Sequence, residues 1–212
     1  MSFDDKWTLP RLIDFGMRTP EAMRYRSQVV PQAHGVVLEV GVSSGLNLLF
    51  YEAGVERIYA LDPSVALLNR ARKKAHTGKT PVEFLVRSAE TIPLDDASVD
   101  TVVMTWTLCS IPDPARALAE MRRVLRPHGA LLFAEHGLAP DEAVRRWQER
   151  LNPVRGRFTS GCNLNRKIDG LIRAGNFTIT RIDKAYAKGP RPMSYVYAGA
   201  ATLADSRANG CG

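Results

Sequence analysis

The sequence predicts an α/β protein built on a mostly parallel sheet with helices on both faces. Three observations carry that expectation. Short apolar runs rich in Val, Ile and Leu recur from residue 36 onward, as in strands buried on both faces. Amphipathic stretches of helical period separate them. The chain then closes differently, on two strand-like runs in succession at 177–182 and 194–198, which read as an antiparallel hairpin at one edge of the sheet. The 212 residues favour one domain and suffice to bury a core without a disulfide or metal staple.

The elements follow in order. Residues 36–40, Val-Val-Leu-Glu-Val, read as the first strand, ended by Gly41. Residues 46–53 read as a helix that stops at Gly54, and 57–61 as a second strand ended by Asp62-Pro63. Ser64 is placed to cap a helix over 65–76, with Gly78 beyond it. A third strand is expected at 82–86. The turn-rich 95–98 precedes a fourth strand at 101–106. A helix over 114–125 gathers Ala117, Leu118, Met121, Val124 and Leu125 on one face, and Pro127-His128-Gly129 breaks it before a fifth strand at 130–134. Residues 141–151 read as a helix stopped by Asn152-Pro153, 154–163 as irregular, and 167–174 as a short helix ended by Gly175. The hairpin strands are joined by a loop containing Lys188, Gly189 and Pro190, and 202–212 reads as a frayed tail.

Composition is ordinary for a globular protein, at 45% hydrophobic and 24% charged residues. The net charge of +7 favours anionic partners. The basic residues are nevertheless scattered, the densest cluster being Arg70, Arg72, Lys73 and Lys74, and there is no RGG tract or arginine-rich tail. No nucleic-acid partner is expected; a solvated basic face is, with peripheral contact to a phospholipid surface left open. Cys109, Cys162 and Cys211 cannot all pair with one another and are too scattered for a zinc site. They point to a reducing, cytoplasmic compartment and to no metal. No apolar run reaches 18 residues, and the first ten, with Asp4, Asp5 and Lys6, lack the apolar core of a signal peptide.

The strongest functional signal is Glu39-Val40-Gly41-Val42-Ser43-Ser44-Gly45 at the end of the first strand. Open α/β sheets bind ligands at the carboxyl ends of their strands. Gly41 admits a positive φ and a close ligand, and Gly45 permits tight packing. Asp62, at the tip of the second strand, is placed to accept hydrogen bonds from a ribose. A dinucleotide loop needs G-x-G-x-x-G, but here Ser43 and Leu46 stand at the second and third glycine positions, which disfavours nicotinamide.

The pattern E-x-G-x-x-x-G instead resembles motif I of the class I S-adenosylmethionine-dependent methyltransferases, with Ser43 in place of the usual middle glycine. Ser88-Ala89-Glu90-Thr91-Ile92-Pro93 resembles that family's D-A-E-x-L-P segment, with Ser88 for Asp. Ser98-Val99-Asp100-Thr101-Val102 resembles its S-F-D-x-V strand, and Arg123-Val124-Leu125-Arg126-Pro127-His128-Gly129 its R-V-L-K-P-G-G turn, with His128 for a glycine. The resemblance implies a Rossmann-like fold with a mostly parallel seven-stranded sheet and a C-terminal antiparallel hairpin. It also implies S-adenosylmethionine as donor, bound by Glu39, Gly41, Ser43, Gly45, Asn47, Asp62, Pro63, Ser88, Ala89, Glu90, Thr105 and Trp106. Leu46-Asn47-Leu48, Thr107-Leu108-Cys109-Ser110-Ile111, Glu135-His136 and Gly161-Cys162-Asn163-Leu164-Asn165-Arg166 further resemble the thiol methyltransferases and their bacterial relatives. Residues 9–26 are polar and amphipathic, so the N-terminal anchor of the animal members is not expected here.

Methyl transfer from a sulfonium is an in-line displacement that needs positioning and exclusion of water more than acid–base help. A small-molecule acceptor is expected. A thiol with a pKa of about 8.5 demands the least of a base. His136 is the base candidate, the alternative being an imidazole that orders the turn. Cys109, Cys162 and Arg18 are candidates for the acceptor side. Packing is the competing role for both cysteines, and Trp106 reads equally as a stacking or a core residue. Residues 1–35 are expected to form a helical lid over the cleft, 36–203 the methyltransferase domain and 204–212 a flexible tail. The rival functions are a phospholipid N-methyltransferase, a quinone-pathway C-methyltransferase and a non-catalytic S-adenosylmethionine binder.

Overall fold

A computed structural model describes residues 17–75, 80–158 and 162–204. His76, Gly78, Gly161, Cys211 and the first half of the expected lid lie outside the described residues. The elements run α1 (Pro20–Val29), a 3₁₀ turn (Val30–Gln32), β1 (Gly35–Val40), a second 3₁₀ turn (Asn47–Leu49), β2 (Val55–Leu61), α2 (Val65–Ala75), β3 (Val82–Leu85) and β4 (Val99–Thr105). They continue with α3 (Pro114–Val124), β5 (Leu125–His136), α4 (Glu142–Phe158), α5 (Ile168–Ala174), β6 (Phe177–Tyr186), α6 (Arg191–Ser194) and β7 (Tyr195–Leu203). The seven strands form one sheet in the order β3-β2-β1-β4-β5-β7-β6. The first five pair in parallel, while β7 runs antiparallel to both β5 and β6. The expected parallel sheet with a closing hairpin is therefore present.

Strand pleating explains the two cores. Leu38, Val102, Met104, Leu131 and Phe133 face one side, against Leu118 and Met121 of α3 and Ile168 and Ile172 of α5. The alternate residues Val37, Val103, Leu132 and Ala134 face the other, against Tyr25 and Val29 of α1 and Leu68 and Ala71 of α2. By the same period Glu39, Thr105 and His136 fall on the α1 side. Helix starts are capped as the residue types dictate. Thr19 accepts from Ala22 N (3.2 Å) before Pro20, Ser64 accepts from Leu67 N (3.4 Å), and Asp113 accepts from Arg116 N (3.0 Å) before Pro114.

Four expectations need correction. The helix expected over 46–53 is a single 3₁₀ turn, because Asn47 is drawn to Thr105 (3.0 Å) and Tyr51 to Glu39 (3.0 Å), and these side chains spend the segment on the site. The helix expected to stop at Asn152-Pro153 runs on to Phe158; proline holds a helical φ, and the hydrogen bond and carbonyl clearance it takes from the preceding turn do not end the helix here. Strand β5 begins at Leu125 rather than 130, since Leu125 already pairs with Val99 and the Pro127-His128-Gly129 stretch bulges before Ala130 pairs with Thr101. The tail begins later than 202: Thr202 pairs with Ala130, and Ala204 N donates to Asn176 O (3.0 Å). Among the described residues no helix is long and apolar enough to cross a membrane.

Candidate active site

A cavity of about 600 Å³ opens at the carboxyl ends of β1, β2, β4 and β5, where an open α/β sheet places its ligands. Its other walls come from α1, the segment after β3, Cys162 and the segment between β6 and β7. The sheet order sets its layout. The ends of β2 and β1 make one side, the turn after β4 the middle, and His136 with the start of β7 the other side.

On the first side, Gly41 has φ 72°, and a Cβ there would collide with the Thr107 side chain. Thr107 Oγ1 donates to Val40 O or Thr105 O, each at 3.1 Å, and so pins the β4 turn against the β1 loop. Ser43 holds φ 51°, the conformation that makes glycine common in such a loop. Its N–H donates to Asp62 Oδ2 (2.9 Å), while Ser64 N–H donates to Asp62 Oδ1 (2.8 Å). Burial raises the Asp62 pKa and those two N–H bonds pull it back. A carboxylate has about four lone-pair sites, so Asp62 keeps accepting capacity for a ligand in the cavity it lines.

Glu39 is 1% exposed and accepts from Tyr51 Oη (3.0 Å). Burial pushes its pKa up to about 8; the bond from Tyr51, the Arg26 charge and a bond from Asn47 act in the opposite sense. Arg26 enters the same cavity from α1, donates to Met17 O (3.2 Å) and Ala22 O (3.4 Å), and lays its guanidinium 4.5 Å from the centroid of the Trp106 ring. Trp106 adopts φ 51°, its N–H donating to Ala134 O (2.8 Å). Strained backbone of this kind costs on the order of 1–3 kcal/mol and gathers at functional sites.

The middle is a turn, residues 107–111, held by two buried or half-buried ions. Glu135, 0% exposed, accepts from Thr107 N (2.8 Å) and Cys109 N (3.3 Å), and also from Leu108 N. Burial pushes its pKa up to about 7 against those N–H bonds. Arg166 donates from Nη1 to Leu108 O (2.5 Å) and Ile111 O (2.7 Å). On the far side, His136 meets Trp106 edge-on at 6.0 Å between centroids, beside Met193, Ser194 and Val196.

Most of the residues expected from sequence converge here. Glu39, Gly41, Ser43, Asn47, Asp62, Pro63, Ser88, Ala89, Thr105, Trp106, Cys109, His136 and Cys162 all line the cavity. Gly45, Glu90 and Arg18 do not. Gly45, φ 76°, lets the loop pack on Ala71 of α2. Glu90 accepts from Ser88 Oγ (2.8 Å) and Asp113 N (2.8 Å), and so joins its turn to the start of α3. Sequence reasoning missed Tyr25 and Met193 in the lining, and the bracing roles of Tyr51, Glu135 and Arg166 behind it. One signal was available: Ala22, Tyr25, Arg26 and Val29 form a buried stripe of helical spacing with an arginine in it.

The arrangement fits a nucleoside joined to an amino acid, with Asp62 for sugar hydroxyls and a carboxylate and a guanidinium for charged ends. Comparison with known proteins agrees. A family profile described as a methyltransferase domain matches residues 38–133. Human thiol S-methyltransferase TMT1A is 33% identical over 172 residues, which span 76% of this chain and 69% of that protein. A phosphatidylethanolamine N-methyltransferase of Cereibacter sphaeroides is 35% identical over 124 residues, 58% of this chain and 61% of its own length. The crystal structure of 1,6-didemethyltoxoflavin-N1-methyltransferase from Burkholderia thailandensis, with 1,6-didemethyltoxoflavin and S-adenosylhomocysteine bound, has the same fold. It superposes with a TM-score of 0.69 at 18% identity, over 95% of this chain and 86% of that one.

Proposed function

The chain belongs to the class I S-adenosylmethionine-dependent methyltransferases, and from that premise we propose that its acceptor is a small lipophilic thiol, methylated on sulfur. The donor supplies a methyl group already activated by sulfonium charge. Asp62 holds the ribose hydroxyls with the lone pairs that Ser43 and Ser64 leave over. Glu39 and Arg26 take the ammonium and carboxylate of the methionyl end. Ser88 and Ala89 border the adenine. The described part of the N-terminal region serves as a lid, with Ala22, Tyr25 and Arg26 of α1 closing one wall against water.

One observation carries the thiol reading. The lining carboxylates Glu21, Glu39 and Asp62 sit on α1, on β1 and just after β2, and none on β4, β5 or β7. Beyond Trp106 the wall carries Ile111, Met193 and Val196 beside Ser110, Lys188 and Ser194, and His136 is the base that meets the Trp106 ring. A carbon or hydroxyl acceptor needs a stronger base than that, whereas a thiol does not. His136 takes the thiol proton, and Cys109 and Cys162 line the acceptor's path. The named activity of the human relative supports this choice.

Amine methylation of a phospholipid is the second reading, supported by the Cereibacter relative and by the net charge of +7. Release of S-adenosylhomocysteine, measured across alkyl and aryl thiols, phosphatidylethanolamine vesicles and reduced quinones, separates them. Turnover is expected with the thiols. Methylation of the lipid or the quinol, with thiols inert, overturns the proposal.

A further inference from the structure

Cys109 and Cys162 are both in the thiol form, buried, and both line the cavity. They come from distant parts of the chain, the turn after β4 and the segment after α4, yet their Sγ atoms lie 3.3 Å apart. The backbones beside them are tied as well. Asn163 donates to Cys109 O from its N–H (2.8 Å) and from Nδ2 (3.2 Å). Sγ–Sγ need only close from 3.3 Å to a bond of about 2.05 Å. The Cys162 bond, and then burial, raise the Cys109 pKa, so Cys109 rests protonated at neutral pH.

We propose that Cys109 and Cys162 form a dithiol site in the cavity wall that reacts with low-molecular-weight disulfides by thiol–disulfide exchange. Cys162, the more exposed residue of the two at 8% against 1% for Cys109, attacks first. It loses its proton to solvent, and its thiolate bonds to one sulfur of R–S–S–R. The S–S bond breaks, and RS⁻ departs and is protonated. Cys109 then loses its proton and displaces the second RS⁻ from the mixed disulfide. Two electrons pass from the protein to the small disulfide, which leaves as two RSH molecules, and a Cys109–Cys162 bond remains. No other oxidant is required.

The bond would draw the 107–111 turn towards the segment carrying Arg166, a shift on the order of 1 Å in the wall beside Trp106. Displacements of that size at a reacting centre cost up to about a hundredfold in rate. The β1 and β2 loops, where the donor is proposed to bind, meet the linked turn at Thr107, at the end away from Cys109 and Cys162. The site stands on the sulfur geometry alone and holds whether the methyl acceptor is a sulfur, a nitrogen or a carbon.

The test uses the full chain carrying Cys211→Ser, treated with 2-hydroxyethyl disulfide. Expected are two equivalents of 2-mercaptoethanol per chain and a peptide cross-link between positions 109 and 162. Turnover on the chain's own acceptor should fall about tenfold to a hundredfold, with donor affinity by calorimetry unchanged and full recovery on dithiothreitol. Cys162→Ala, and separately Cys109→Ala, should form no cross-link. Thiols that stay open to alkylation after treatment, a reaction that stops at a mixed adduct, or a cross-linked enzyme of undiminished turnover each overturn the proposal.

Discussion

Glu135 and Arg166 grip opposite sides of the same turn. The carboxylate takes the N–H groups of Thr107, Leu108 and Cys109, and the guanidinium takes the carbonyls of Leu108 and Ile111. Both are paired with backbone, so neither is spent on chemistry. They fix the turn that carries Thr107, Cys109 and Ser110 into the cavity. Glu135→Ala leaves buried donors unmet, at about 1–3 kcal/mol for such a group. We expect lower stability, a raised KM for the acceptor and donor affinity within about twofold of the parent. Chemical denaturation, steady-state kinetics and calorimetry on one preparation check all three.

Asp62→Ala should weaken donor binding by about 1.5–3 kcal/mol, the usual range for hydrogen bonds to a charged group. The side chain also orders Ser43 and Ser64, so Asp62→Asn serves as the control. It keeps the size and one acceptor oxygen, and should fall between the parent and the alanine variant. Calorimetric titration with S-adenosylhomocysteine reads both. Unchanged affinity in folded Asp62→Ala would remove the ribose role.

The fold was legible because strands buried on both faces write themselves as apolar runs and helices as 3.6-residue stripes, and both periods survive here. What the sequence hid was tertiary. Asn47 and Tyr51 look like members of a helix until the buried Thr105 and Glu39 that attract them are seen. Glu135 sits one residue from His136 and reads as a second acid of the site, but pleating turns it to the opposite face. Glu90 and Gly45 carry the motif yet act as braces, on Asp113 and Ala71. Motif spacing locates a loop; it does not say which of its side chains points inward.

Glu39 should make stability and donor binding respond to pH in opposite senses. Burial holds its pKa up at about 8, and Glu135's at about 7, far above the range of an unfolded carboxyl. The folded state then binds more protons than the unfolded one, so this contribution is full below about pH 4.5 and is lost as pH rises through 7 to 8. The melting temperature of the ligand-free chain should fall between pH 5 and 8, and Glu39→Gln and Glu135→Gln should each flatten that slope. Asp100, Glu120 and Asp169, with lowered pKa values, act only below this window. A cationic donor favours ionised Glu39, so binding should tighten as pH rises from 6 to 8 and release a proton. Calorimetry in buffers of different ionisation enthalpy counts that proton, and Glu39→Gln should abolish it.

Gly41→Ala tests the close approach between the β1 loop and the β4 turn. At φ 72° an alanine is strained, and its Cβ would displace Thr107. We expect a loss of about 1–3 kcal/mol in stability together with weakened donor binding. Thr107→Ala removes both atoms that an added Cβ would meet first, Oγ1 and the methyl Cγ2, while giving up the hydroxyl's reach to Val40 O and Thr105 O. The double variant should recover part of both losses, which a general destabilisation at Gly41 would not allow.

His136→Ala separates a base from a wall. General-base help is typically worth about 10²–10⁴-fold, but a thiol of pKa near 8.5 supplies a few per cent of its own thiolate at neutral pH. The loss at pH 7 should therefore lie at the lower end, about a hundredfold in kcat. It should shrink as pH rises through the acceptor's own pKa, because above it the proton is already gone. With aryl thiols of lower pKa the same variant should be nearly unimpaired even at pH 7. A residue that merely shapes the pocket beside Trp106 would give a deficit independent of both pH and acceptor acidity. The pH–rate profiles for one alkyl and one aryl thiol, parent against His136→Ala, distinguish the two roles.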